Sequence, residues 1–147
     1  MTSAEAGHVI HAAITHDPLE DLVAAARRET ATPATGAVLT FEGIVRNHDD
    51  GEAVEALSYS HHPSATDVMH RIVSEVASRN PGVRLWAAHR VGDLRVGDIA
   101  FLVVAASAHR SGAFAACTQV VDDVKAQLPI WKEQKLSDGQ TQWVGTE

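Results

Sequence analysis

The run IAFLVVAAS at 99–107 restricts the fold more than any other stretch. It is apolar on both faces, so as a strand it needs cover on either side. Its apolar part, 99–106, is far too short to span a bilayer, which takes about 20 residues. The chain must therefore bring helices and further strands around it. Residues 63–80 form the clearest predicted helix. Ala65, Val68, Met69, Ile72, Val73, Val76 and Ala77 repeat at the spacing of one buried face, and Asn80-Pro81-Gly82 stops the pattern. A second helix is predicted over 111–128, with Phe114, Cys117, Val121, Val124 and Leu128 on one face and Pro129 at its end. Asp17-Pro18 opens a shorter one over 18–29, Asp as N-cap and Pro at the first helical position.

Strands fill the gaps. HVIHAAIT at 8–15 alternates loosely. GAVLTFEGIV at 36–45 reads as a strand that turns at the polar tip 46–51 and returns over 54–59, a hairpin with a long loop. Residues 83–91 precede the central run, joined to it by GDLRVGD with its two Gly-Asp turn signals. Residues 130–136 and 141–144 flank Ser137-Asp138-Gly139-Gln140, a C-terminal β-hairpin whose Asp-Gly favours a tight turn. The order is β-α-β-β-α-β-β-α-β-β. It predicts an α+β layered fold with about three helices and a mixed or antiparallel sheet. The 147 residues fit a single domain, 1–147, whose first 16 residues carry the weakest pattern.

Charge narrows the partners. A formal net charge of −7 argues against nonspecific nucleic-acid or anionic-membrane binding. One cysteine, Cys117, on an apolar helix face, reads as a packed thiol rather than a nucleophile. The start lacks the basic and apolar regions of a signal peptide, so a cytoplasmic location is expected. His61-His62 invites a metal reading. Adjacent residues on a strand face opposite ways, however, and no metal-ligand spacing accompanies them, so no metal or cofactor is expected.

Against this acidic background all three lysines, Lys125, Lys132 and Lys135, fall in one segment, which opens on His109-Arg110. A helix N-terminus carrying Arg110 and His109 suits an anion; it also suits a mere cap beside surface cations. The Pro129 break lets Lys125 and Lys132 converge on one pocket, where ammonium groups can serve as acid, base or nucleophile. Taken singly, each reads better as a solvated helix-end or surface cation; the confinement of all lysines to one segment tips the balance toward a site. Arg46, at the polar tip, reads as a loop reaching over a site or as a solvated tip. His89-Arg90 ends a strand, and a structural role is the simpler reading. From the residues alone, the expectation is a pocket for a small anionic ligand, with the reaction left open.

Four stretches taken together resemble one family. GAVLTFEGIVRNHDDG (36–51), AHRVGDLRVGD (88–98), SAHRSGAFAAC (107–117) and VKAQLPIWKEQ (124–134), followed by DGQTQWV (138–144), resemble the large, catalytic subunits of molybdopterin synthase. The resemblance implies a hammerhead-like α/β fold and a sulfurtransferase. Such an enzyme converts cyclic pyranopterin monophosphate to molybdopterin in molybdenum cofactor biosynthesis. It implies a ubiquitin-like small subunit whose C-terminal Gly-Gly thiocarboxylate donates sulfur, and a homodimer of large subunits forming a heterotetramer. By position, Lys125 and Lys132 match the catalytic lysines. Arg46, His109 and Arg110 match ligands of the substrate anion, with Ile44, Val45, Glu133 and Gln134 beside them. Gln134 stands where the family usually has an acidic residue. This chain ends Val144-Gly145-Thr146-Glu147 rather than Gly-Gly, so it is not expected to be the sulfur carrier. The alternative is a non-catalytic, anion-binding or regulatory paralogue.

Overall fold

The computed structural model describes residues 6–49 and 51–145. Met1 to Glu5 of the N-terminal segment, Asp50 of the polar tip and the Thr146-Glu147 end lie outside the described residues. The strands are β1 (His8–Thr15), β2 (Ala37–Ile44), β3 (His48–Asp49), β4 (Glu52–His61), β5 (Arg84–Arg90), β6 (Gly92–Arg95), β7 (Ile99–Ser107), β8 (Ile130–Leu136) and β9 (Thr141–Gly145). The helices are α1 (Val23–Thr30), α2 (Ala65–Arg79) and α3 (Arg110–Gln127). Two sheets result. One has the order β1-β5-β7-β2; the other runs β3-β4-β8-β9, with β6 also paired to β4.

Every residue of β7 is buried. Its side chains alternate between two cores, as an all-apolar strand requires. Phe101, Val103 and Ala105 pack beneath α2 and α3. Leu102 and Val104 join Leu19, Ala26 and Trp86 on the other face, under α1. A third cluster, Val45, Leu57, Leu94 and Ala100, fills the space toward the second sheet. The mixed α+β architecture with three helices and C-terminal paired strands is the one the sequence predicts.

Several local expectations are corrected. The strand at 36–45 does not fold back on 54–59. Instead β2 pairs antiparallel with β7 along its whole length, and β4 lies in the other sheet. The reason is the demand of β7: it needs a neighbour on each edge, and β5 covers only one. What remains of the predicted hairpin is the two-residue pairing of β3 with β4. GDLRVGD is likewise more than a turn, because Gly92–Arg95 forms β6 and pairs with β4. The helix expected from Pro18 begins instead with a 3-10 turn, Leu19–Asp21, and becomes α-helical only at Val23. Leu19 is fully buried there, and the Glu20 carboxylate accepts the Ile99 N–H at 2.7 Å. Along α3 the buried stripe is Ala113, Ala116, Cys117, Val120 and Val124. Phe114, expected inside, is 57% exposed. Small residues at 113 and 116 let the helix lie close on the sheet and rotate Phe114 outward.

Candidate active site

The two sheets and α3 enclose a cavity of about 590 Å³. Lys125, on the last turn of α3, and Lys132, on β8, both line it. The connection between them is short. Leu128 caps the helix with its N–H on the Val124 carbonyl at 3.0 Å, and Ile130 N–H then bonds the Leu128 carbonyl at 2.8 Å. Pro129 cannot extend the helix, so the chain reverses into β8. That reversal returns Lys132 to the end of the molecule where Lys125 stands.

Arg46 and Ile44 line the same cavity. Both leave β2 where its register with β7 slips between Gly43 and Ile44. Gly43 sits against Phe101, and a Cβ there would stand 3.4 Å from the Phe101 Cβ. Val45 is buried, its N–H held by the Asp98 carbonyl at 2.9 Å. It lines a smaller neighbouring recess with Gln134. Gln134 is 2% exposed and donates from Nε2 to Asp49 Oδ2 and to Gln142 Oε1, each at 3.0 Å.

Two expected groups stand elsewhere in this chain. Glu133 follows the strand alternation to the other face of β8, where it lines a separate depression with Asp93, Arg95 and Lys135. His109 and Arg110 are exposed at the N-terminal end of α3. Fifteen residues of helix put Arg110 roughly 22 Å from Lys125 along the axis. Neither lines the cavity.

The cavity also holds residues not expected there from the sequence. Asp49 lies 3.6 Å from Lys132 Nζ and 3.8 Å from Arg46. Tyr59 enters because β4 pairs with β8 in the register Tyr59↔Lys132. His89 and Phe101 close the inner wall, their rings stacked at 5.5 Å, with Phe41 edge-on to Phe101 at 5.9 Å. Burial lowers the His89 imidazole to about 4, and burial raises the Tyr59 phenol above its ordinary range. Both are therefore neutral near pH 7. Asp49 carried a faint signal, its closeness to Arg46 in the polar tip. Tyr59 carried none, and His89 stood out only within the His89-Arg90 pair, for which a structural role is the simpler reading; the strand registers bring both here.

The arrangement combines two kinds of chemistry. Lys125, Lys132 and Arg46 supply cations suited to phosphate or carboxylate. Phe41, Phe101, Tyr59 and His89 add aromatic rings and neutral polar atoms. Among the described residues no cluster of three metal-ligating side chains occurs, and no helix is long and apolar enough to cross a membrane.

The family model for MoaE protein matches residues 11–127. The chain belongs to the MoaE family. A molybdopterin synthase catalytic subunit from Nostoc sp. is 42% identical over 113 residues, 76% of this chain and 68% of its own length. Among solved structures, molybdopterin synthase from Staphylococcus aureus aligns with a TM-score of 0.79 at 30% identity, covering 99% of this chain and 98% of that one. A Helicobacter pylori structure, a protein-protein complex of subunit 1 and 2 of molybdopterin-converting factor, shares the MoaE fold. Its TM-score is 0.71 at 24% identity, with 93% of this chain and 88% of that one covered.

Proposed function

We propose that this MoaE-family chain is the catalytic subunit of a molybdopterin synthase. It acts as a sulfurtransferase on cyclic pyranopterin monophosphate in molybdenum cofactor biosynthesis, in the cytoplasm. The observation that carries the reading is the convergence of Lys125 and Lys132, from different elements, with Arg46 on one cavity. Its substrate is a phosphate ester. The sulfur donor is a thiocarboxylate at the C-terminal Gly-Gly of a small ubiquitin-like subunit. Both are anions, and the cavity meets them with cations. Lys125 and Lys132 stabilise the thiocarboxylate and the oxyanions that form, and they carry protons as sulfur replaces oxygen. Cys117 takes no part, consistent with sulfur arriving on a partner.

His109 and Arg110 enter this proposal through a second copy. At roughly 22 Å from Lys125 on the same helix they cannot serve the same cavity in one chain. A homodimer, with a small subunit at each end, lets each copy present this pair to its neighbour's cavity. The small-subunit partner has its counterpart in the Helicobacter pylori complex of subunits 1 and 2.

The decisive experiment supplies precursor and thiocarboxylated small subunit and reads the oxidised pterin product by fluorescence. Lys125→Ala and Lys132→Ala each lower turnover by about 100-fold or more, the scale of lost acid–base catalysis, while the two-subunit complex still forms. Wild-type turnover in either variant rejects the assignment. Mixing Lys132→Ala with Arg110→Ala chains tests the shared site: exchanged dimers regain activity only if the cavity draws on both copies.

A further inference from the structure

We propose that His89 is the acceptor that seats the ring system of the substrate, its uncharged Nε2 taking a hydrogen bond from an N–H of a flat nitrogen heterocycle. This deepens the reading above and rests on it for the natural ligand.

The geometry fixes the tautomer. His89 Nδ1 lies 2.7 Å from the Arg90 carbonyl oxygen. A carbonyl only accepts, so Nδ1 carries the proton and Nε2 keeps its lone pair. The ring is held on two sides, stacked on Phe101 at 5.5 Å and met edge-on by Tyr59 at 4.9 Å. Burial keeps it neutral, its pKa near 4.

Nε2 is left over. It has no hydrogen-bond partner among the described residues, yet it is not sealed in: among those residues Arg90 Nε is the sealed side-chain polar atom without a partner. His89 is 6% exposed, and it lines the cavity. The small open part of the ring thus gives Nε2 onto that space.

The need for such an acceptor follows from the rest of the wall. Lys125, Lys132 and Arg46 only donate. The Asp49 carboxylate is already engaged by Lys132, Arg46 and Gln134. A heterocycle whose anionic arm lies on the cations and whose ring lies by Phe101 and Phe41 needs an uncharged acceptor for its N–H, and the wall's side chains offer two, the Tyr59 hydroxyl and His89 Nε2, of which Nε2 belongs to the ring stacked on Phe101. His89 offers one without repelling the cations or attracting a second anion.

The test separates ring from phosphate. Plain pterin, with no phosphate arm, is titrated by fluorescence against the wild-type protein and three variants, with inorganic phosphate titrated in parallel by calorimetry. His89→Phe keeps a flat ring against Phe101 and removes the acceptor. His89→Asn keeps a donor for the Arg90 carbonyl and removes the acceptor. His89→Gln places an amide oxygen near the Nε2 position. We expect pterin affinity to fall about tenfold or more in the Phe and Asn variants, the scale of one buried hydrogen bond lost. The Gln variant stays within about threefold of wild type, and phosphate binding is unchanged throughout, which also certifies the fold. Pterin binding that ignores His89→Phe and His89→Asn overturns the inference. So does a Gln variant as weak as the other two, which would reduce His89 to packing. Pterin binding through His89 without turnover would instead sink the proposed activity and leave this inference standing.

Discussion

The Lys132 ammonium stands 3.6 Å from the carboxylate of Asp49, and the same carboxylate lies 3.8 Å from Arg46 and accepts the Gln134 amide at 3.0 Å. An anion from the protein thus occupies the place where an anion from the substrate would pair. The Lys132 and Asp49 side chains are each about a quarter exposed, so their attraction belongs near the upper end of the surface-pair range, about 1 kcal/mol. An incoming phosphate competes with that pair. Replacing Asp49→Asn removes the competitor and keeps the shape. Inorganic phosphate then binds about fivefold more tightly by calorimetric titration, and the gain shrinks as salt rises. Weaker binding would mean that Asp49 serves chiefly to hold Lys132 in position.

His89 makes acid stability measurable at one residue. Burial lowers its pKa to about 4, against roughly 6.5 in an unfolded chain. Between those values the unfolded chain binds the proton and the folded chain does not, so acid favours unfolding. The contribution is complete above about pH 6.5, drains as pH falls toward 4, and levels off below. A shift of this size amounts to about 3 kcal/mol across the window. Urea melts along that range, compared with His89→Gln, isolate it. The variant loses less stability on acidification than the wild type, and parallel curves would contradict the buried neutral imidazole.

Cys117 is 4% exposed, and burial pushes its thiol up to about 11. Thiolate, the reactive form, is then about 100-fold scarcer than for an ordinary cysteine near neutrality. Maleimide labelling of the native protein at pH 7.5 is slower than that of the urea-unfolded chain by at least that factor. Cys117→Ala leaves molybdopterin formation unchanged, since no step uses this sulfur. Rapid native labelling would show the helix face to be open.

The elements themselves were readable because their signals are local. The spacing in α2, the unbroken apolar run of β7 and the Asp-Gly before β9 each state an element within a few residues. Pairing was not readable in the same way. Nothing within 36–59 says that β2 will choose β7 over β4; that depends on β7 needing a second neighbour, a fact about another part of the chain. The site divides along the same line. Lysines in an acidic chain stand out by composition, and Lys125 and Lys132 do meet. Tyr59 and His89 are ordinary residues of ordinary strands until register sets one opposite Lys132 and lays the other on Phe101. Arg110, near Lys125 in sequence, stands at the far end of the same straight helix and does not line this chain's cavity.

The chain passes between the two sheets at very short notice. Val91 alone separates β5 from β6, residues 96–98 separate β6 from β7, and residues 45–47 separate β2 from β3. Val45 is further laced to that seam through the Asp98 carbonyl and the Gly97 N–H, each at 2.9 Å. Two leaves sewn together in three places along one margin hold their spacing at that margin. Ile44 and Arg46, which line the cavity, hang on that seam, so the sheets themselves set their place. Under the function proposed above, an arriving anion meets in Arg46 a cation anchored to both sheets at once.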